Sequence, residues 1–208
     1  MKTKNIYIIR HGQTDYNLEQ KVQGRGIDSS INPTGRIQAS HFYDAYQHVP
    51  FDKIYHSELK RTSQSVHKFI EKGIPRESLS GLDEISWGKH EGQEFDPEMH
   101  KIYLDTVANW ERGRLDIAVG GGESPLEVMH RQKTAIEYIM NQTDESHVLV
   151  ATHGRAMRIL MCWMLNYPMQ HMDAFEHTNL CLYQLEYSGH GYRVIKHGSA
   201  EHLNDIKI

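Results

Sequence analysis

The residues best suited to chemistry stand where the first apolar run of the chain ends. Ile6-Tyr7-Ile8-Ile9 is followed at once by Arg10-His11-Gly12-Gln13-Thr14, and a short apolar run bounded by a glycine is typical of a buried strand. A guanidinium is a cationic fork that suits phosphate oxygens, and an imidazole can act as a nucleophile near neutral pH. A surface Arg-His pair would give the same short motif. The motif therefore indicates a functional site only together with similar groups elsewhere in the chain.

Similar groups follow two further predicted strands. Ser57 and Arg61 come after residues 53–56, and Thr152-His153-Gly154 comes after residues 147–151. In open α/β sheets ligands bind beyond the carboxyl ends of the strands, so we expect these groups to converge. Arg61 is predicted in the first turn of a helix, where a cation is unfavourable unless an anion binds there; the alternative is a solvated arginine. Two arginines and two histidines without a metal-ligand set predict a pocket for a phosphoryl group.

The elements that must position these groups alternate between strands and helices. Strands are predicted at about residues 5–9, 53–56, 79–82 and 147–151, and helices after Pro33, after Ser57 as an N-cap, from the capping box at Ser124, and over about residues 155–165. Residues 180–187 and 192–197 are predicted to form a closing hairpin. This order predicts an α/β three-layer sandwich, in which helices cover both faces of a mostly parallel central sheet.

One segment, about residues 92–122, breaks the alternation. It carries a helical pattern and then Arg112, Arg114 and three consecutive glycines. We interpret it as a short cap inserted into a single domain of residues 1–208. Five cap side chains could recognise a substrate: Trp110, Arg112, Arg114, Tyr103 and His100. The alternative, that the arginines are solvated and the aromatic rings simply pack the cap, is left open. The glycines lack the lysine of a P-loop and the spacing of a dinucleotide-binding turn, so a nucleotide-binding module is set aside.

Composition narrows the classes of partner. The chain has 208 residues, a formal charge of −4 and a pI near 6.4, which argues against a general nucleic-acid-binding surface. No apolar stretch reaches membrane-spanning length, and the first strand begins too early for a signal peptide. Two cysteines, Cys162 and Cys181, fit a reducing compartment. We therefore expect a cytoplasmic protein whose partner is a small molecule, not nucleic acid or a membrane; a homodimer is left open.

Fifteen histidines raise the question of a metal. They are scattered along the chain, without a pair at helical spacing beside a carboxylate and without a Cys-His cluster. Neither a metal nor any other cofactor is expected.

Taken in order, several blocks resemble the histidine phosphatase superfamily, the phosphoglycerate-mutase-like proteins. The blocks are Arg10 to Thr14 with Asn17 and Gln23-Gly24-Arg25, then Asn32 to Gly35, Ser57 to Ser65, Leu82 to Gly92, Gly122 to Ser124, and Ala151 to Gly154. The resemblance covers residues 5 to about 155. It implies a metal-independent phosphomonoester hydrolase that acts on a small phosphorylated substrate.

The resemblance also implies roles for individual residues. His11 would be the nucleophile that forms a phosphohistidine, Arg10, Arg61 and His153 would hold the phosphoryl oxygens, and Glu84 would donate a proton to the leaving oxygen. Phosphoryl transfer depends on positioning and cationic stabilisation, and a carboxyl beside a phosphate dianion tends to retain its proton, so the chemistry agrees. The alternative for Glu84 is a loop carboxylate, with Glu91 or Glu123 as the next candidate acids.

The resemblance further implies substrate contacts that are less specific. These are Thr14, Asn17, Gln23, Gly24, Ser57 and Gly154. A phosphoglycerate mutase is the first alternative function, although true mutases of the superfamily usually carry a longer cap segment. A non-catalytic phosphate-binding or interaction module on the same fold is the second.

Overall fold

A central sheet dominates the computed structural model, which describes residues 3–94 and 96–204. Its six strands within these ranges are β1 (Lys4–Arg10), β2 (Lys53–His56), β3 (Arg76–Ser78), β4 (His147–Thr152), β5 (Leu182–Tyr187) and β6 (Tyr192–Ser199). They lie in the order β3-β2-β4-β1-β5-β6. The first four are mutually parallel, and β5 and β6 form the predicted antiparallel hairpin at one edge.

Seven α-helices connect the strands in the same part of the chain. They are α1 (Asp15–Leu18), α2 (Pro33–Tyr46), α3 (Lys60–Ser65), α4 (His67–Glu71), α5 (Pro97–Glu111), α6 (Pro125–Met140) and α7 (Gly154–Met164). The predicted capping box at Ser124 opens α6, and its hydroxyl accepts a hydrogen bond from the backbone of Glu127. None of the helices in the described ranges is long and apolar enough to cross a membrane.

Alternate residues of β1 build two separate cores. Ile6 and Ile8 pack in the cluster that contains residues of α6 and α7, whereas Tyr7 and Ile9 pack in the cluster that contains residues of α2 and α4. Successive side chains of a strand point to opposite faces, so both faces of the sheet are buried beneath helices. The three-layer α/β sandwich predicted from the sequence is confirmed.

The strand predicted at Leu79–Leu82 is wrong. The strand is Arg76–Ser78, whose ends are exposed and which pairs as a sheet edge, and Ser80–Leu82 forms a 3-10 turn. A Cβ at Gly81 would lie 2.6 Å from both the Cβ of Ala135 and the carbonyl oxygen of Arg131. The glycine therefore lets this turn pack directly on α6, and a polar edge strand gives no apolar pattern to recognise.

Two details of the helices also differ from the prediction. The helix after β2 is interrupted at Val66 (φ −114°, ψ 12°), which splits it into α3 and α4. Ser57 is not its N-cap, since α3 begins after Leu59. The predicted start of the chain at Met1 and Lys2, and Phe95 within the predicted cap, lie outside the described residues.

Candidate active site

Three neighbouring strands bring the predicted groups together. Arg10 of β1 pairs with Thr152 of β4, and His56 of β2 pairs with Ala151. The backbone N–H of His11 donates to the carbonyl oxygen of Thr152 at 3.0 Å. The rings of His11 and His153 consequently lie with centroids 5.2 Å apart, at the carboxyl ends of the strands, as expected for this sheet topology.

His11 is held with one ring nitrogen available for chemistry. Its side chain is nearly buried, and Nδ1 lies 2.7 Å from the carbonyl oxygen of Gly12. A carbonyl accepts only, so Nδ1 carries the proton and Nε2 carries the lone pair. Burial, together with the charges of Arg61 and Arg10, lowers the pKa of His11 well below its ordinary value of 6.5. The imidazole is therefore neutral at pH 7, the form a nucleophile requires.

Arg61 is a fully buried cation fixed by a loop. Its guanidinium donates to the carbonyl oxygens of Ile27 at 2.5 Å and Gly24 at 3.2 Å. One orientation of the Gln23 carboxamide satisfies both its oxygen and its nitrogen. In it the oxygen accepts from Arg61 Nε at 2.8 Å and the nitrogen donates to Thr14 Oγ1 at 2.8 Å. Burial lowers the pKa of Arg61 to about 10, so the side chain remains charged at neutral pH.

A chain of hydrogen bonds fixes the tautomer of His153. The Thr62 hydroxyl donates to the carbonyl oxygen of Leu59 at 2.7 Å, so it accepts from the Ser57 hydroxyl at 3.0 Å. Ser57 Oγ is then left to accept from His153 Nε2 at 2.7 Å, and Nδ1 accepts from Arg61 Nε at 3.1 Å. Burial, Arg61 and His11 lower the pKa of His153 well below its ordinary value. His153 is thus neutral here, and Ser57 accepts from its ring.

Arg10 brings a second guanidinium to the same place. It donates to the carbonyl oxygen of His177, while its Nε is buried without a partner among the described residues. A Cβ at Gly154 would lie 3.4 Å from that Nε and 3.0 Å from the His177 ring, so the glycine leaves room for the arginine. Burial lowers the pKa of Arg10. The spare donor is suited to an anion.

Glu84 sits at the amino-terminal end of α7. Its Oε1 accepts from the backbone N–H groups of Ile85 at 2.9 Å and Ala156 at 2.8 Å, and its Oε2 accepts from Arg155 N at 3.1 Å. The carboxyl lines the same cavity as Arg10. The structure therefore fixes the orientation of Glu84, and the loop that carries it is not free.

Arg131 of α6 holds the segment that carries Glu84. Its guanidinium donates to the carbonyl oxygens of Gly81 at 3.0 Å, Asp83 at 2.9 Å and Glu84 at 2.9 Å. It also forms an ion pair with Glu123 at 2.9 Å. Five hydrogen-bond donors in a rigid fork allow one side chain to do this.

The two alternative acids are engaged elsewhere. Burial alone would raise the pKa of Glu123, but hydrogen bonds from Arg131 and from the Ser86 backbone outweigh it and lower that pKa below its ordinary value. Glu91 accepts from the backbone N–H groups of Gly26 and Trp87 at 2.7 and 2.8 Å. Both carboxylates brace loops, and neither lines the cavity at Arg10 and Glu84.

The six predicted substrate contacts divide into two groups. Three line the cavity, namely Asn17, Gln23 and Gly154. The other three support it. Thr14 is buried and caps α1 through the backbone N–H of Asn17, the carbonyl of Gly24 holds Arg61, and Ser57 holds His153.

The cavity measures about 200 Å³, small beside typical ligand pockets of roughly 300–1,000 Å³. Its lining includes residues that the sequence reasoning did not name as site residues: Lys21, Trp87, Arg155, Arg158 and His177. Arg155 and Arg158 stand in the first turn and a half of α7. A cation near the start of a helix is unfavourable unless an anion binds there, which is the argument that singled out Arg61. That signal was available in the sequence.

Four of the five cap residues left open in the sequence lie outside this cavity: Trp110, Arg112, Arg114 and His100. Trp110 is 1% exposed, and its Nε1 donates to the carbonyl oxygen of Ile117 at 2.7 Å. Arg114 donates to the Asn109 side chain, and Arg112 is exposed. From this helix, Tyr103 lines the cavity instead. Within residues 3–94 and 96–204, no three histidine, cysteine or acidic side chains are grouped to hold a metal ion.

The amino-acid sequence of the chain is similar to those of known phosphatases and mutase-like proteins. The sequence pattern described as "Histidine phosphatase superfamily (branch 1)" matches residues 6–200. A broad-specificity phosphatase of Saccharomyces cerevisiae is 28% identical over 96% of this chain and 87% of its own length. The phosphoglycerate mutase-like protein 4 of Arabidopsis thaliana is 30% identical over 74% of this chain and 68% of its own.

The fold has close counterparts among solved structures. Bacillus stearothermophilus YhfR superposes with a TM-score of 0.85 at 26% identity, covering 96% of this chain and 99% of that one.

Proposed function

The chain belongs to the histidine phosphatase superfamily, branch 1, and from that premise we propose that it hydrolyses small phosphomonoesters through a phosphohistidine at His11, without a metal. The observation that carries the proposal is the neutral, nearly buried His11 imidazole with Nδ1 bound to the carbonyl oxygen of Gly12, close enough to Arg10 and Arg61 for their charges to lower its pKa. The relatives with phosphatase names support the reaction class. The small cavity supports a small substrate.

In the first step, His11 Nε2 attacks phosphorus and the bond from phosphorus to the ester oxygen breaks. Arg10 and Arg61 stabilise the charge on the equatorial oxygens, and His153, whose Nδ1 accepts from Arg61 Nε, holds that guanidinium in place. Glu84 gives its proton to the departing oxygen, so the alcohol leaves neutral. Splitting hydrolysis in this way avoids direct attack by water.

In the second step, water attacks the phosphohistidine. Glu84, now a carboxylate, takes a proton from that water, and the bond between phosphorus and His11 Nε2 breaks. Inorganic phosphate leaves, and both His11 and Glu84 return to their starting states. Three backbone N–H groups hold the carboxyl in place through both steps.

We further propose that residues 1–208 act as one domain and that residues 92–122 form its cap. Tyr103 of α5 lines the cavity beside Trp87, and their rings lie 5.4 Å apart. This contact supports a cap that closes one side of the site.

A mutase is the second candidate, because one relative at 30% identity bears a mutase-like name. Both reactions share the first step and differ in whether water or a second hydroxyl receives the phosphoryl group. Release of inorganic phosphate from a panel of phosphorylated metabolites, run beside a mutase assay on the same esters, separates them. We expect phosphate release that persists in EDTA and is inhibited by vanadate; isomerisation without release would favour the mutase, and loss of activity on chelation would favour a metallophosphatase.

A further inference from the structure

One cationic side chain on the cavity lining has more hydrogen-bond donors than its surroundings have acceptors for them. Arg155 is 8% exposed and offers five N–H groups. Within the described residues its guanidinium meets one acceptor, Asp173 Oδ1 at 2.6 Å, and its other close neighbour is the face of the Trp110 ring. Because Arg155 lines the cavity, its unused donors are available to a ligand there.

The charge of this group is also incompletely balanced. Arg158 donates to the same oxygen of Asp173 at 2.6 Å, so two guanidinium groups share one carboxylate. The pair leaves about one positive charge beside the cavity. Lys21 stands on the lining as well, although Glu19 pairs with it at 2.8 Å. The excess charge therefore comes from α7.

The position of Arg155 relates this charge to the reaction. Its backbone N–H lies 3.1 Å from Glu84 Oε2, and in the proposed function Glu84 protonates the leaving oxygen. The substituents of the leaving alcohol must then emerge within one side-chain length of Arg155. The cationic group faces the alcohol part of the substrate, whereas Arg10 and Arg61 serve the transferred phosphoryl group.

We infer that Arg155, supported by Arg158 and Asp173, binds a second anionic group on the alcohol part of the substrate. Carboxylate and phosphate both match the guanidinium fork. The preferred substrates are thus phosphomonoesters of small acids or small bisphosphates, and neutral alcohol phosphates are poor ones. This inference rests on the proposed function.

Three esters built on one three-carbon chain test it. They are 3-phosphooxypropanoate, propane-1,3-diol bisphosphate and 3-hydroxypropyl phosphate, which differ in ending with a carboxylate, a phosphate or a hydroxyl. We expect kcat/KM for at least one anionic ester to exceed that of the hydroxyl ester by tenfold or more, and the better of the two identifies the group. In Arg155→Gln the preference should fall about tenfold, and Arg155→Lys should retain part of it.

Arg112→Gln is the matched control, since this arginine is exposed and does not line the cavity; its preference should equal that of the wild type. Equal kcat/KM for all three esters in the wild type would overturn the inference even if Arg155→Gln failed to fold, and so would an unchanged preference in a folded Arg155→Gln. Failure to hydrolyse any ester, p-nitrophenyl phosphate included, would instead contradict the proposed function.

Discussion

The candidate site couples neutral histidines to permanently charged arginines. The carbonyl of Gly12 fixes the proton of His11 on Nδ1, and Ser57 fixes that of His153 on Nε2. Each ring therefore presents one lone pair, that of His153 toward Arg61. The arginines supply the charge, the lone pair of His11 remains available for bonding to phosphorus, and His153 holds Arg61.

At the scale of single residues, Glu84→Gln separates a proton donor from a bystander. If Glu84 protonates the departing oxygen, its loss should matter most for a strongly basic leaving group. General acid catalysis contributes typically 10²- to 10⁴-fold, so we expect a loss of that order with an alkyl phosphate and a much smaller loss in the first step with p-nitrophenyl phosphate. Rapid-mixing kinetics should then show the phosphoenzyme forming quickly and accumulating. Equal losses for both substrates without accumulation would leave Glu84 a positioning role alone.

Much of the candidate site could be predicted because its residues follow strands. Arg10, His11, Ser57 and His153 stand at the ends of predicted strands, and parallel strands end at one edge of the sheet. His177 and Asp173 could not be found in this way, since they come from the segment between α7 and β5, where Asp173 lies in the 3-10 helix Met169–Ala174 and His177 in the loop after it. Their contacts with Arg10 and Arg155 depend on how that segment packs across α7.

At the scale of elements, helix α6 determines the geometry of a loop it does not adjoin in sequence. Arg131 on this helix ties down residues 80–84 by their carbonyl oxygens, and Gly81 lets the two approach closely. Catalytic groups lose efficiency steeply when they shift by about 1 Å. The helix is therefore part of the candidate acid's support.

Arg131→Met should reproduce part of the kinetic effect of replacing Glu84. We expect kcat for an alkyl phosphate to fall on the order of 10²-fold, as misplacement by about 1 Å would cause, and kcat for p-nitrophenyl phosphate to fall less. Arg193→Met, which removes an exposed ion pair with Glu186, is the control and should change neither rate. Thermal melts of both variants should accompany the kinetics. Proportional losses for the two substrates would assign Arg131 to stability alone.

The elements themselves were predicted where periodicity was strong. Apolar runs and capping signals located β1, β2, β4, α2 and α6, because burial on both faces leaves a clear pattern. Strand β3 escaped because an exposed edge strand needs no apolar side chains, and α1 escaped because a four-residue helix has no periodicity. The break at Val66 reflects tertiary packing, since that side chain is fully buried.

At the scale of the whole molecule, neutral histidines that are buried or half-buried make stability depend on pH. Burial lowers the pKa of His177 to about 3 and that of His202 to about 4, and it lowers the pKa values of His11, His56 and His153 as well. In the unfolded chain each histidine binds a proton near pH 6.5. Between that value and the folded pKa, unfolding takes up protons, so the free energy of unfolding falls as the pH falls.

His202→Phe measures one such contribution. The His202 ring packs against Phe42 and Tyr46, with centroids 5.3 and 5.7 Å away, so a phenyl ring suits the site. Denaturant unfolding between pH 6.5 and pH 4 should show the free energy of unfolding of the wild type falling as the pH falls. That of the variant should fall less steeply, by about 1.4 kcal/mol per pH unit. Parallel pH profiles for the two proteins would contradict the neutral, buried state of His202.

The central claim is that His11 carries the phosphoryl group, and a trapping experiment tests it most directly. Substrate labelled in the transferred phosphate is mixed with excess enzyme, quenched within milliseconds and mapped by peptide. We predict label on His11 that is labile in acid and stable in base, absent from His11→Ala and retained in His190→Ala, a variant of the exposed turn between β5 and β6. Label on a serine, or normal turnover by His11→Ala, would contradict the account.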